Sequence, residues 1–469
     1  MKVSEEVGCR FRELVALRLG LAFPEARQAD LERGLLRACQ SSPRSTPEPY
    51  VAWLTTLSED SPEWRHLAGY LTVGETYFFR DSPLFKALEH QILPSLIATR
   101  RAQGMLQLRI WSAGCATGEE PYSLALILDR LLPDRSRWAL TILATDINLE
   151  ALHVAQRGVY RQWSFRNTPD WVRTRYFHHR DGETFEVAPG IRQTVVFAPL
   201  NLNDGSYPSV VTNTVAMDLI FCRNVLMYFT PQAQRATVAR LRETLVTGGW
   251  LVVSPAEASA ELLRPLVPVQ CSGAILYHKE DAGPSLACAA EQPPVTSSLT
   301  SGEAKPVLPD IFAPESLVNA QPDRPARPAE DLEKVRPDAA SHLQRARELA
   351  DQGQLDDARR LCELALERDP LDPDAHLLLA AICQERGEIR TAVEALRSAI
   401  YLEPDSAPAH FLLGSLLLRQ GEQRRGQRSM ETAVGLLSSL PRDEVVPGTD
   451  GLSAGPLLEM ARAYLELGR

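Results

Sequence analysis

Residues 111–125 read WSAGCATGEEPYSLA: an apolar run, two glycines four apart, then two adjacent acids opening a helical pattern. Gly114 and Gly118 let a backbone turn tightly and pass close to a ligand. The spacing is GxxxG rather than GxGxxG and no Lys-Ser/Thr pair follows, so a phosphate-binding P-loop is excluded. Glu119 and Glu120 would repel a dinucleotide phosphate, whereas a cationic ligand makes a carboxylate there useful. S-adenosylmethionine, which carries an ammonium and a sulfonium, is such a ligand. The same acids would also complement the positive end of a helix dipole with no ligand at all, so the turn alone leaves both readings open. The next apolar run ends LATD and places Asp146 at the carboxyl edge of a strand, where an acid can accept hydrogen bonds from ribose hydroxyls. Capping the helix INLEALHVAQ is its other use, and the two are compatible.

These residues need a scaffold, and the pattern after about residue 105 supplies one. The runs LQLRIWSAG, WALTILATD, AMDLIFCRN and GGWLVVSP alternate with the helical patterns EPYSLALILDRLL, LEALHVAQRGVY and PQAQRATVARLRETL. Strand and helix in alternation predict an α/β fold, a doubly wound, Rossmann-like parallel sheet. The glycine turn then lies at the first strand-to-helix junction, where such sheets hold ligands. Before Thr72, FRELVALRLGL, ADLERGLLRAC and PYVAWLTTL have helical spacing, which predicts a helical subdomain over residues 1–74. Over 175–200, Asp181-Gly182 between β-rich flanks signals a hairpin, and a small antiparallel subdomain is expected beside the sheet.

The chain has 469 residues, too many for one ordinary core. Its 44% hydrophobic and 23% charged residues fit a globular protein, and its net charge of −10 argues against bulk nucleic-acid binding. No stretch resembles a signal peptide or reaches the length of a membrane span. The eight cysteines never form CxxC, so neither a metal site nor a disulfide framework is expected, and a cytoplasmic location is. Residues 280–338, rich in Pro, Ser, Ala and acid, are expected to form a disordered linker. Beyond it, Gly353, Gly387 and Gly421 recur every 34 residues, with Leu355/Ile389, Ala358/Ala392, Ala365/Ala399/Ala433 and Pro370/Pro404 at the same offset. That period is the signature of tetratricopeptide repeats, predicted over 339–469 as an all-α solenoid. Gly426 stands where the Ala358/Ala392 column expects alanine. The tail GPLLEMARAYLELGR is expected to be a last amphipathic helix, one that could serve as a solvating cap.

The motifs TYFFRD (76–81), WSAGCATGEEPYSLA, ATDIN, DGETF…IRQTVVFAPLNL and IFCRNVLMYF together resemble the CheR family of chemoreceptor glutamate methyltransferases. They occur in that family's order and cover roughly residues 10–278. The resemblance implies a class I methyltransferase domain over 75–279 and S-adenosylmethionine as methyl donor, with S-adenosylhomocysteine as product. It also implies residue roles. Thr76 and Arg80 match cofactor-contacting positions, Arg80 pairing the methionine carboxylate; many relatives have Asn where this chain has Gly74. Gly114 and Glu120 belong to the cofactor turn, Glu120 near the methionine amino group. Asp146 matches the ribose acid, and Asn201 and Leu202 match adenine-side positions. Arg223 and Asn224 match the loop closing over the methyl donor, and Tyr228 the residue beside the acceptor carboxylate. Tyr228 and Arg80 are the residues expected to bear on catalysis.

A receptor glutamate is already a carboxylate at neutral pH, so no metal, nucleophile or general base is expected. The acceptor implied is a glutamate on the cytoplasmic helical domain of a methyl-accepting receptor, with the enzyme recruited to membrane arrays but not inserted. Arginines 10, 12, 18, 27, 33 and 37 could meet an acidic coiled coil, or simply form a mixed solvated face. The hairpin could dock a receptor tail as an added strand. The added solenoid resembles the Wsp-type subgroup of surface-sensing and biofilm signalling. Its repeats are expected to take a protein or peptide ligand without touching catalysis, so that removing 335–469 leaves methylation intact. The rival readings are a methyltransferase of another protein or small molecule, and a non-catalytic scaffold.

Overall fold

The computed structural model describes residues 3–58, 61–72, 74–166, 168–280 and 339–468, so the expected linker lies outside the described residues but for Glu280. Four helices come first: α1 (Glu5–Leu19), α2 (Gln28–Ser41), α3 (Pro47–Leu54) and α4 (Pro62–Leu71). The α/β region then runs α5 (Ser82–Ala87), α6 (Leu93–Ala102), β1 (Gln107–Ala113), α7 (Glu119–Leu131), β2 (Ala139–Asp146), α8 (Leu149–Arg157) and β3 (Val159–Arg161). It continues with α9 (Asp170–Tyr176), β4 (Phe177–His179), β5 (Thr184–Val187), α10 (Pro189–Arg192), β6 (Val195–Pro199), β7 (Met217–Phe221), α11 (Pro231–Thr244), β8 (Leu245–Val252), β9 (Val267–Cys271) and β10 (Ala274–His278).

Seven strands form one sheet in the order β6-β2-β1-β7-β8-β10-β9. The first five are parallel, β10 pairs antiparallel with β8, and β9 pairs antiparallel with β10. That edge hairpin went unforeseen, although Ser272-Gly273, both at positive φ, is the two-residue turn a twisted hairpin favours. β1 shows how the sheet is covered. Leu108 and Ile110 join the core beneath α5–α7, while Trp111 and Ala113 join the core beneath α1–α4 and α11. Alternate side chains point to opposite faces and both faces are closed, as parallel sheets require. The chain leaves β1 toward β2 and β6 on one side and continues in β7 and β8 on the other, so the crevice expected of such a reversal opens at the carboxyl end of β1.

The antiparallel subdomain is present with different limits. Its three strands lie in the order β3-β5-β4, so it begins at Val159, and Asp181-Gly182 turns β4 into β5. Val195–Pro199, expected within it, instead pairs parallel with β2 as the edge of the main sheet. Phe78 fastens this small sheet to the TYFFRD segment, its ring centroid 4.9–5.0 Å from those of Tyr160, Phe165 and Phe177.

The solenoid consists of α12 (Ala339–Asp351), α13 (Leu355–Arg368), α14 (Pro373–Glu385), α15 (Ile389–Leu402), α16 (Ala407–Arg419) and α17 (Gln423–Ser438), followed by α18 (Ala454–Leu467). Gly353, Gly387 and Gly421 take the left-handed conformation that ends each first helix, at φ 76, 76 and 81°. The alanine columns are buried between paired helices. Gly426 breaks its column because a Cβ there would lie 2.8 Å from the Leu418 backbone nitrogen.

The repeats do not stand apart: the α/β region and the solenoid form one compact unit. Val210, Val211, Val215 and Ala216, just before β7, share a core with Leu377, Ala381 and Leu412 on the first helices of successive repeats. Arg109 of β1 and Glu385 of α14, at 0% and 2% side-chain exposure, lie 3.5 Å apart across this contact. The Arg109 guanidinium also donates to the carbonyls of Val215 and Asn213 and to Asn213 Oδ1. The expectation of a solvating last helix is overturned. α18 is apolar on most sides, with Leu457, Leu458, Met460, Ala461 and Ala463 buried, and it lies against α8 and the edge strand β6. Arg65 of α4 pairs with Glu466 at 2.9 Å. The solenoid thus grips the amino-terminal ends of the strands and, through α18, one sheet edge, where Glu459 and Met460 come beside Leu200 and Asn201 at the crevice rim.

Two outcomes follow from this contact. A chain ending at Glu280 would expose Val210, Val211, Val215, Ala216 and β6, and is expected to melt lower and to self-associate; a monomeric truncation of unchanged midpoint would show that the contact contributes nothing. Burial pushes the Glu385 carboxyl from its ordinary 4.5 up to about 7, against the attraction of Arg109. A carboxyl raised in the folded state stabilises below its unfolded value and loses that contribution as pH rises through the folded one. The E385Q chain, unable to ionise there, should therefore show a flatter midpoint than the parent between about pH 5 and 8 in thermal unfolding.

Candidate functional site

The crevice is built from two strand ends and the loops they launch. The amides of Gly114 and Cys115 donate to the Thr145 carbonyl at 2.8 and 2.9 Å, holding the β1–α7 turn beside the end of β2. Gly114 sits at φ 82°, and a Cβ there would come within 2.4 Å of Val225 Cγ2. Gly118, at φ 94°, admits α8, since its Cβ would meet the Ala155 Cβ at 2.8 Å. The first glycine therefore lets the 222–228 loop close on the turn, and the second lets a helix pack behind it.

Asp146 joins the two turns. Its Oδ2 accepts the Ala116 amide and its Oδ1 the Asn148 amide, both at 2.8 Å. Capping of α8 falls to Asn148, whose side chain accepts from the Ala151 amide at 3.2 Å. Asp146 is thus released from the capping role that the sequence left open, and each of its oxygens keeps acceptor capacity. Burial pushes its carboxyl up, while the amide hydrogen bonds from Asn148, Ala116 and Ile147 oppose the shift.

The two acids of the turn diverge. Glu119 is 3% exposed and accepts from Thr117 Oγ1 at 2.6 Å and Ser164 Oγ at 2.9 Å, so it ties α7 to the segment after β3. Burial pushes its carboxyl up. Glu120 accepts from Ser112 Oγ at 2.8 Å and lies 3.3 Å from Arg223 Nη1. Arg223 also pairs with Asp81 at 3.1 Å and donates to the Arg80 carbonyl at 3.2 Å, which binds the TYFFRD segment to the junction.

A cavity open to solvent occupies the crevice. Gly114, Asp146, Asn201, Leu202, Asn224 and Tyr228 all line it. Thr76, Arg80, Glu120 and Arg223 do not. Arg80 donates to the Glu75 carbonyl at 2.7 Å, Thr76 is half-buried outside the lining, and Glu120 and Arg223 are engaged with each other one layer behind. The roof comes from the N-terminal helices. The Ala22 amide donates to the Tyr228 carbonyl at 2.7 Å and the Thr230 amide to the Gly20 carbonyl at 2.8 Å, so Leu19, Leu21 and Phe23 reach over the cavity.

Two residues at the site escaped the sequence reading. Arg27, counted with five other arginines as a possible basic face, lines the cavity with its guanidinium 4.7 Å from the Tyr228 ring centroid and 4.8 Å from that of Phe23. The other five disperse: Arg10, Arg33 and Arg37 are exposed, Arg12 hydrogen-bonds Gln28, and Arg18 is half-buried. Glu257, in the turn after β8, accepts amides from the 224–227 loop. The sequence around SPAEAS shows only its local partner Ser254, because its loop partners are backbone groups some thirty positions away. Among the described residues no group of three or more His, Cys, Asp or Glu side chains could hold a metal ion, and no helix is long and apolar enough to cross a membrane. Burial pushes the Cys115 and Cys222 thiols well up, which keeps both protonated.

A family model described as the CheR methyltransferase, SAM binding domain matches residues 74–267, and a tetratricopeptide repeat model matches 349–416. Chemotaxis protein methyltransferase 2 of Vibrio cholerae is 32% identical over 254 residues, covering 54% of this chain and 86% of that protein. Chemotaxis protein methyltransferase 1 of Pseudomonas aeruginosa is 37% identical over 212 residues, 44% of this chain and 74% of its own. The probable biofilm formation methyltransferase WspC of the same species is 28% identical over 368 residues, and there the similarity covers 76% of this chain and 82% of the relative. With a glycine turn, a strand-end acid and a polar loop meeting at one cavity, this chain belongs to the CheR family of S-adenosylmethionine-dependent protein-glutamate O-methyltransferases, here joined to tetratricopeptide repeats.

Proposed function

We propose that the chain methylates glutamates on the helical cytoplasmic domain of a methyl-accepting receptor, in a chemosensory pathway of the surface-sensing or biofilm kind. The observation that carries this reading is Asp146. It is a carboxylate at the carboxyl end of β2, fixed by two amides, lining one cavity with Gly114, Asn201, Asn224 and Tyr228. The chemotaxis names of the relatives support the receptor as acceptor, and the length shared with WspC supports the pathway.

The residues fit the methyl donor. Asp146 has acceptor capacity left for ribose hydroxyls, Gly114 offers a surface without a side chain, and Asn201 and Leu202 form the wall assigned to adenine. Glu120, Arg223, Thr76 and Arg80 are assigned to the methionyl end. They act there through the segment that Arg223 ties to the junction rather than as cavity walls. S-adenosylmethionine bound there supplies a methyl group on a positively charged sulfur and leaves as S-adenosylhomocysteine. The acceptor side chain is ionised at neutral pH, so one carboxylate oxygen forms the bond to the methyl carbon as the carbon–sulfur bond breaks and its electron pair stays on sulfur. No proton moves, and the protein's contribution is alignment and exclusion of water. Tyr228 positions the incoming oxygen, and Arg27, stacked on its ring, adds a cation at the same wall. The repeats recruit protein partners through surface left free by the Val210–Ala216 segment.

The direct test is transfer of labelled methyl groups to membranes bearing candidate receptors, followed by mass spectrometry of the modified glutamates; label confined to small molecules would sink the acceptor. D146A should lose cofactor binding in calorimetry, and unchanged affinity would remove the ribose assignment. Y228F should bind cofactor normally and turn over roughly 10- to 100-fold more slowly.

A further inference from the structure

We propose that Glu257 is a positioning residue for methyl transfer, shaping the loop that presents Asn224 and Tyr228 to the cavity; this rests on the reading of that cavity given above. Glu257 is 6% exposed and lies outside the cavity lining. Its Oε2 accepts the Asn224 amide at 2.8 Å, the Ser254 amide at 2.9 Å and the Ser254 hydroxyl. Its Oε1 accepts the Val225 amide at 2.6 Å and the Met227 amide at 3.2 Å. Five donors therefore converge on one carboxylate, and three of them come from four consecutive residues of the loop.

That convergence explains a loop that local preference would not make. Asn224 sits at φ 57°, in the left-handed region that side-chain residues seldom enter and that Asn enters at the smallest cost among them. Turning the chain there points successive amides inward, where each would lack an acceptor. A buried carboxylate is itself costly unless hydrogen-bonded; here the two needs meet. Ser254, 3% exposed, holds Glu257 from behind, and the Ala22 amide holds Tyr228 from the opposite side. An apolar residue would fill the space at position 257, but only an acceptor with two oxygens gathers amides on both sides of the turn. Glu257 has no path to the reacting atoms except through this loop.

The test is a double-mutant cycle in the full chain. E257Q keeps the shape and one acceptor oxygen but sets an NH₂ group against amide donors. Its cofactor affinity in calorimetry should stay within about threefold, because Asp146 and Gly114 are untouched, while turnover falls roughly 30-fold. The E257Q/Y228F enzyme should lose less than the product of the two single losses, since both variants act on one loop and share Tyr228. S254A, which removes only the rear support, should lower turnover by about threefold without weakening cofactor binding. Losses in E257Q/Y228F that multiply, or an E257Q enzyme that loses affinity and turnover by the same factor, would overturn the assignment while leaving the cavity reading intact. If E257Q does not fold, an S254A enzyme with parental turnover overturns it. Y228F with undiminished turnover would remove both this inference and the role of Tyr228.

Discussion

One carboxylate holds the catalytic end of the molecule together. Asp146 takes an amide on each oxygen, Ala116 from the β1–α7 turn and Asn148 from the β2–α8 turn, and so locks two neighbouring loops into one surface. Gly114 can meet the 222–228 loop only because that surface is fixed, and the loop can then reach the N-terminal segment through Tyr228 and Ala22. Each layer of the cavity is seated on the one before. The carboxylate that would take the ribose is also the one that builds the place for it, so binding and architecture are not separable at this position.

The cavity is assembled from chain segments far apart, and each is clamped by backbone groups as much as by side chains. Glu257 gathers amides, Thr145 accepts two, and the roof is joined by a pair of main-chain bonds at Gly20 and Ala22. A site made in this way has little freedom to reorganise when a charged acceptor arrives, which suits a reaction that asks for alignment rather than proton transfer.

What was legible in the sequence was local. The glycine turn, the strand-end acid and the 34-residue columns each declare themselves within a few residues, and their conformations follow: the three glycines of the repeat column and the two at the turn are left-handed. Six of the ten assigned site residues meet at the cavity. The rest was hidden because it depends on what a segment lands against. Arg27 looked like a surface cation until Tyr228 was placed beside it. Val195–Pro199 has the composition of any short strand, and only its pairing with β2 separates it from the hairpin. The last helix carried a readable signal, its apolar face being wide and its polar residues confined to Glu459, Arg462 and Glu466, which marks an element buried on most sides.

The placement of that helix also bears on how the protein behaves in company. An open sheet margin is a row of unsatisfied amides and carbonyls that another chain can extend. Here α18 lies against β6 at one margin, and at the other β9 carries Pro268, which has no amide to offer. A margin partly covered by a helix, or interrupted by a proline, is a poorer template for an added strand than a bare one. The last helix therefore has a second part in the fold, as partial cover for one sheet margin, whatever the repeats bind.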